Sequence, residues 1–186
     1  MIKETPAVEK YTIKLHTFAD ADWTGDPDDR RSTTAYVIFL DSTPISWSLK
    51  KQHTVARSTT EAEYHAIASS AAELNWIGHL MSELQIQVPS TPVIYCDNVG
   101  ATYVCANPIF HSRMKHVAID FFFVQDQVAR QQLRISHVHT NDQLADSLTK
   151  PLAQRQFLDH RSKIGILDGS SILRGHVSSR DSIGHK

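Results

Sequence analysis

The chain has 186 residues, 41% of them hydrophobic, two cysteines and a formal net charge of −1. That length suits one domain of ordinary size, and the apolar share is enough for a core and excludes wholesale disorder. Apolar runs stop short of the roughly 18 residues of a membrane helix, and the N-terminus lacks a signal-peptide pattern, so the expectation is a soluble, intracellular protein with no membrane partner.

Residues 1–10 are polar and expected to fray. Over residues 11–20, Ile13, Leu15 and Thr17 alternate with Lys14, His16 and Phe18, a strand period of two. A turn follows through Asp26–Arg31. Residues 34–40, TAYVIFL, read as a buried strand. After the Asp41-Ser42-Thr43 turn, residues 44–49 read as a short third strand, and three strands with short links predict an antiparallel meander.

The period then changes. From Thr59 to Leu84 apolar residues recur at Tyr64, Ile67, Ala71, Leu74, Ile77 and Met81, a helical spacing. Ser58 with Glu61 three residues on predicts a capping box. Pro89 and Pro92 break the pattern, and residues 92–96, PVIYC, form a fourth strand. Helices are expected at 99–106 and 116–132, a fifth strand at 133–139, and short helices at 143–148 and 152–163. The order β-β-β-α-β-α-α-β-α predicts an α/β domain over residues 11–166: a five-stranded mixed sheet, three antiparallel strands then two joined through helices, with helices on both faces. Residues 167–186 are rich in Ser, Gly, His and Arg and read as a flexible tail.

Cys96 and Cys105 make neither a disulfide framework nor a CxxC zinc pattern and read as buried thiols. The near-neutral charge is unlike a dedicated nucleic-acid scaffold, but carboxylates in a metal site subtract charge that bound cations return. Basic residues gather in two clusters: Lys50, Lys51, His53 and Arg57, then His111, Arg113, Lys115 and His116. Either suits phosphate contact, and either equally suits a solvated loop.

Four carboxylates stand where strands or helices begin or end: Asp20, Glu63, Asp97 and Asp146. Carboxylates gathered from distant segments are how proteins hold hard divalent cations. Each also has an ordinary structural explanation. Asp20 suits a turn, and Asp22 and Asp26 are alternatives to it; Asp97 and Asp146 suit helix caps. Glu63 differs. At roughly 100° per residue it lies near the middle of the apolar stripe, away from Glu61 and Glu73, and a carboxylate aimed at the core is costly unless paired or metal-bound. His111 and His116 are poorly spaced for a transition-metal site, and no GxSxG elbow suggests a serine hydrolase.

DADWTGD at 20–26, ISWSLKKQHTVARSTTEAEYHA at 45–66, YCDNVGA at 95–101, NPIFHSRMKHVAIDFFFV at 107–124, QLADSLTKPL at 143–152 and SSILRGH at 171–177 resemble, in this order, the ribonuclease H domain of plant copia-type LTR retrotransposon Pol polyproteins. The resemblance implies a ribonuclease H fold and two Mg²⁺ or Mn²⁺ ions held by Asp20, Glu63, Asp97 and Asp146. It favours Asp20 over Asp22, and offers His137 or His139 as an assisting histidine. It implies hydrolysis of the RNA strand of an RNA–DNA hybrid during reverse transcription, with Lys50, Lys51, Arg57, Arg113 and Lys115 as phosphate contacts. It also implies a reverse transcriptase domain in the parent polyprotein and a cytoplasmic, virus-like-particle setting, or the nucleus. The chain departs from the family at Ala35 (usually Gly), Met114 (Thr), Phe122 (His) and Gln125 (Arg). The alternative expectation is a remnant that binds hybrid without turnover or only keeps the fold. The Met ahead of the domain, with no reverse transcriptase before it, leads to the expectation of an isolated fragment or a short gene.

Overall fold

The computed structural model describes residues 13–107 and 117–166. The N-terminal segment, the 167–186 tail, Met114 and the cluster of His111, Arg113, Lys115 and His116 therefore lie outside the described residues. The elements run β1 (Leu15–Asp22), β2 (Thr33–Leu40), β3 (Thr43–Lys51), α1 (Thr59–Glu83), β4 (Val93–Cys96), α2 (Val99–Ala106), α3 (Ala118–Ala129), β5 (Arg134–His137), α4 (Asp146–Thr149) and α5 (Gln154–Ile164), with a 3-10 turn at Thr140–Asp142. No helix among the described residues is long and apolar enough to cross a membrane.

The five strands form one sheet in the order β3-β2-β1-β4-β5. β1, β2 and β3 pair antiparallel, while β4 runs parallel to β1 and β5 parallel to β4. This is the mixed sheet expected from the meander followed by helix-linked strands. The alternation along β2 divides the core. Tyr36, Ile38 and Leu40 point to the face covered by α1, α2 and α3, where Tyr64, Ile67, Ala71, Leu74 and Phe121 complete the larger cluster. Val37 and Phe39 point the other way, onto Leu144, Leu148 and Ile164. Helices thus lie on both faces, and each face removes apolar area from water at about 25 cal/mol per Å².

Several boundaries shift by a few residues from the sequence reading, and two of these shifts bear on the site. The first strand continues past Asp20 to Asp22, because Asp20 and Asp22 still pair with Ala35 and Thr33 across β2. The helix expected at 143–148 begins only at Asp146. Gln143 is fully buried and its amide donates to the Ala19 carbonyl at 2.9 Å, which ties the chain to β1 before the helix starts.

This topology gathers one end of the sheet. β1 and β4 are parallel neighbours with Phe18 opposite Tyr95. Two residues beyond that pair come Asp20 on β1 and Asp97 just past the end of β4. β5 places His137 opposite Cys96. Three chain segments therefore present polar side chains at the carboxyl ends of adjacent parallel strands, the usual place for a site in such sheets.

Candidate active site

Asp20 is fully buried in the central strand. Its two carboxylate oxygens are both engaged from the end of α4: Thr149 donates its hydroxyl to Oδ2, and the Lys150 ammonium lies 3.1 Å from Oδ1. The turn explanation for Asp20 therefore fails. Asp22, on the same face of β1, folds instead over Gly25. A Cβ on Gly25 would stand 1.8 Å from the Asp22 carboxylate, so a larger residue there would push that side chain aside. The neighbouring Trp23 donates its indole N–H to the Ala56 carbonyl at 3.1 Å and fastens this turn to the entry of α1.

Glu63 lies one turn into α1 and is 6% exposed. Burial, then the negative charges of Asp20 and Asp97, push its pKa up to about 9, with Lys150 opposing. Glu61 is also buried, against the expectation from its place off the stripe. Its carboxylate turns back to accept the Arg57 N–H at 3.0 Å, while its own N–H donates to Ser58 Oγ at 3.2 Å. The cap thus consumes Glu61 and leaves Glu63 to face the site.

Neither of the other two acids serves as a helix cap. Asn98 is the N-cap of α2, its side chain accepting the Ala101 N–H at 2.9 Å. Asp97 is therefore left to accept the Thr140 hydroxyl at 2.9 Å. The N-cap of α4 is Ala145, which makes no side-chain cap bond. The carboxylate of Asp146, the first residue of α4, pairs with Lys150 at 2.8 Å. Burial first, then Asp20 and Asp97, raise Asp146 to about 6 against the lowering effect of the Lys150 hydrogen bond.

The four acids thus meet. Glu63 feels Asp20 and Asp97, Asp146 feels the same two, and Lys150 bridges Asp20 and Asp146. Glu63, Cys96 and Asp97 bring ligand atoms within 4.8 Å of one another. The Cys96 thiol donates to Glu63 Oε2 at 3.7 Å, and burial keeps it protonated. The donor set is therefore oxygen-dominated, which fits a hard divalent cation. Asp97 is only half-buried and forms the open side of the cluster.

Of the two histidines, His137 bonds the backbone of this cluster, its Nε2 3.1 Å from the Asp97 carbonyl oxygen. His139 caps the 3-10 turn, accepting the Asn141 N–H on Nδ1. The first basic cluster divides. Lys50, Lys51 and His53 line a groove of about 460 Å³ floored by the His65–Asp120 pair, whose Nδ1 and Oδ2 are 2.6 Å apart. Lys51 is paired with Asp26 and Asp29. Arg57 is exposed at the entry to α1.

Sequence reasoning missed Thr140, Thr149, Lys150 and His160. His160 is fully buried in α5, between Ser147 Oγ on Nδ1 and the Asn141 carbonyl on Nε2, each at 3.0 Å. A carbonyl only accepts, so Nε2 carries the proton and, in a neutral ring, Nδ1 accepts from Ser147. The ring thereby clamps both sides of the Asp146 loop. The available signal was the i,i+4 spacing of Asp146 and Lys150. Two departures from the family pattern also have a structural account. The Gln125 amide faces the carbonyls of Val104, Cys105 and Asn107 at 2.8–3.1 Å and satisfies the end of α2. Ala35 is fully buried opposite Asp20, where its methyl is accommodated.

No family model matches the chain. It is 57% identical over 155 residues to the retrovirus-related Pol polyprotein from transposon RE1 of Arabidopsis thaliana, covering 83% of this chain and 11% of that protein. The chain therefore spans about a tenth of the length of the curated relatives it matches. Among solved structures it superposes on LC11-RNase H1, isolated from compost, with TM-score 0.56 and 15% identity over 73% of this chain and 91% of the other. It also superposes on the foamy viral protease-reverse transcriptase in complex with RNA/DNA hybrid, with TM-score 0.51 and 15% identity over 80% of this chain and 21% of that one. Over most of its length the chain is thus similar to one segment of retrovirus-related Pol polyproteins, and its own fold is that of ribonuclease H.

Proposed function

We propose that this chain is a ribonuclease H that hydrolyses the RNA strand of RNA–DNA hybrids at the site formed by Asp20, Glu63, Asp97 and Asp146. One observation carries the reading: four acids from β1, α1, the β4–α2 junction and α4 converge, and the capping and turn roles that would explain them otherwise are filled by Ser58, Glu61 and Asn98 or left unfilled. The sequence relation to a Pol polyprotein and the likeness to ribonuclease H folds support it.

Asp20, Glu63, Asp97 and Asp146 would hold two divalent cations, Mg²⁺ or Mn²⁺. Bound there, the ions supply Lewis-acid activation of a water and charge stabilisation at the leaving oxygen. The residues do the rest. Asp97, on the open side, faces the incoming strand. His137, held against the Asp97 backbone, lies where it can exchange a proton with solvent. Lys50 and His53 place positive charge along the groove, Arg57 adds its charge at the α1 entry, and Lys51 contributes if the backbone draws it from Asp26 and Asp29. Contacts to 2′-hydroxyls would separate RNA from DNA. A reverse transcriptase segment of the parent polyprotein is the proposed partner, and the cytoplasm its proposed setting.

The test is incubation of the purified chain with a labelled RNA–DNA hybrid across a Mg²⁺ and Mn²⁺ titration. The expected products come from the RNA strand alone and carry 3′-hydroxyl and 5′-phosphate ends. Hybrid binding without cleavage at every metal concentration would overturn the enzymatic reading in favour of a binding module.

A further inference from the structure

We propose that Lys150 is a built-in cation of the acidic site, which holds Asp20 and Asp146 together when metal is absent and competes with divalent ions for them. The inference rests on the site reading above. A fully buried carboxylate is costly without a counter-charge. Here Asp20 has one: the Lys150 ammonium lies 3.1 Å from Asp20 Oδ1 and 2.8 Å from Asp146 Oδ1.

The backbone delivers the lysine to this point. Lys150 follows α4, and its N–H closes the last turn on the Asp146 carbonyl at 3.0 Å. The side chain therefore starts four residues beyond Asp146 and lies back over it. Thr149 meanwhile engages the other oxygen of Asp20. The short α4 so presents a hydroxyl and an ammonium to one carboxylate, and both are adjacent residues of the QLADSLTKPL segment.

The Lys150 side chain is 36% exposed, whereas its two partners are almost sealed. The ammonium therefore reaches into the site from its solvent edge and can leave the same way. A divalent ion and an ammonium cannot share the same two oxygens without strong repulsion at such range. Metal entry must then move Lys150 outward, and the work of breaking two ion pairs is subtracted from metal affinity.

The experiment is a calorimetric Mn²⁺ titration with thermal melts, on the full chain and on Lys150→Met and Lys150→Arg. Lys150→Met should melt lower than wild type without metal, bind Mn²⁺ about tenfold more tightly, and gain more in melting temperature per added metal. Lys150→Arg keeps the charge and should bind Mn²⁺ as weakly as wild type, which separates charge from side-chain packing. Equal or weaker Mn²⁺ binding by Lys150→Met would overturn the role of Lys150 while leaving the site intact. Absence of Mn²⁺ binding in all three proteins would overturn both this inference and the proposed function. Hybrid cleavage without a change in affinity would overturn this inference alone.

Discussion

Asp20 and Asp22 share one face of β1, two residues apart, yet their surroundings separate them. Asp20 is sealed beneath Thr149 and Lys150, while Asp22 covers the Gly25 turn. Asp20→Asn is therefore expected to remove hybrid cleavage, and Asp22→Asn to retain it within about threefold; rate measurements on the two purified variants decide the point. Glu63 carries a second prediction. Its folded pKa is raised to about 9 and that of Asp146 to about 6, both through burial first. A carboxyl raised in this way favours folding in its protonated form, so the contribution is present below the ordinary carboxylate range. It is lost as pH rises, through about 6 for Asp146 and through about 9 for Glu63. The metal-free chain should thus melt lower at pH 8 than at pH 5. Glu63→Gln should flatten that profile and stabilise the metal-free chain at pH 8 by about 2 kcal/mol, or roughly 4–8 °C. A melting profile in Glu63→Gln as steep as in wild type would show that other groups set it.

Among the elements, α1 and α5 position the site from opposite faces. The Ser58 hydroxyl caps α1, so Ser58→Ala should cost about 1 kcal/mol in urea unfolding. α5 holds the Asp146 loop through His160, with Lys163 paired to Asp142 beside it. Replacing His160 with Ala removes both partly buried hydrogen bonds and leaves a cavity where the buried ring stood. The expected loss is about 2–4 kcal/mol, and cleavage should fall with it, because Thr140 and Asp146 lie on the clamped loop. Most elements were legible from periodicity. Residues 99–106 coincide with α2, and the alternation in TAYVIFL divides the two cores as it stands. Glu63 was legible because a charge on an apolar stripe contradicts its surroundings. Asp97 and Asp146 were not, since an acid before a helix is an ordinary cap; only the observed caps, Asn98 and Ala145, release them. Lys150 was illegible for another reason. Its contact with Asp20 spans 130 residues, and nothing local records which carboxylate a lysine will meet.

At the scale of the molecule, the sheet order explains how such distant residues form one site. Placing β1 at the centre, between an antiparallel β2 and a parallel β4, sets Asp20 beside Asp97 at one end. The crossovers through α1 and through α2 and α3 then bring Glu63 and His137 to that same end. Burial of three of the four acids gives a site that is strained by its own charge and relieved by cations, whether Lys150 or a metal. Because the proposed hold on a hybrid runs through Lys50, Arg57 and the phosphate backbone, cleavage below saturation should fall steeply between about 50 and 200 mM salt. The most direct measurement is single-turnover cleavage of an RNA–DNA hybrid in Mg²⁺ or Mn²⁺ by wild type and by Asp97→Asn. The account predicts cleavage of the RNA strand by wild type and a loss of about a thousandfold or more in the variant. Equal rates from the two proteins, or none from wild type in either metal, would contradict it.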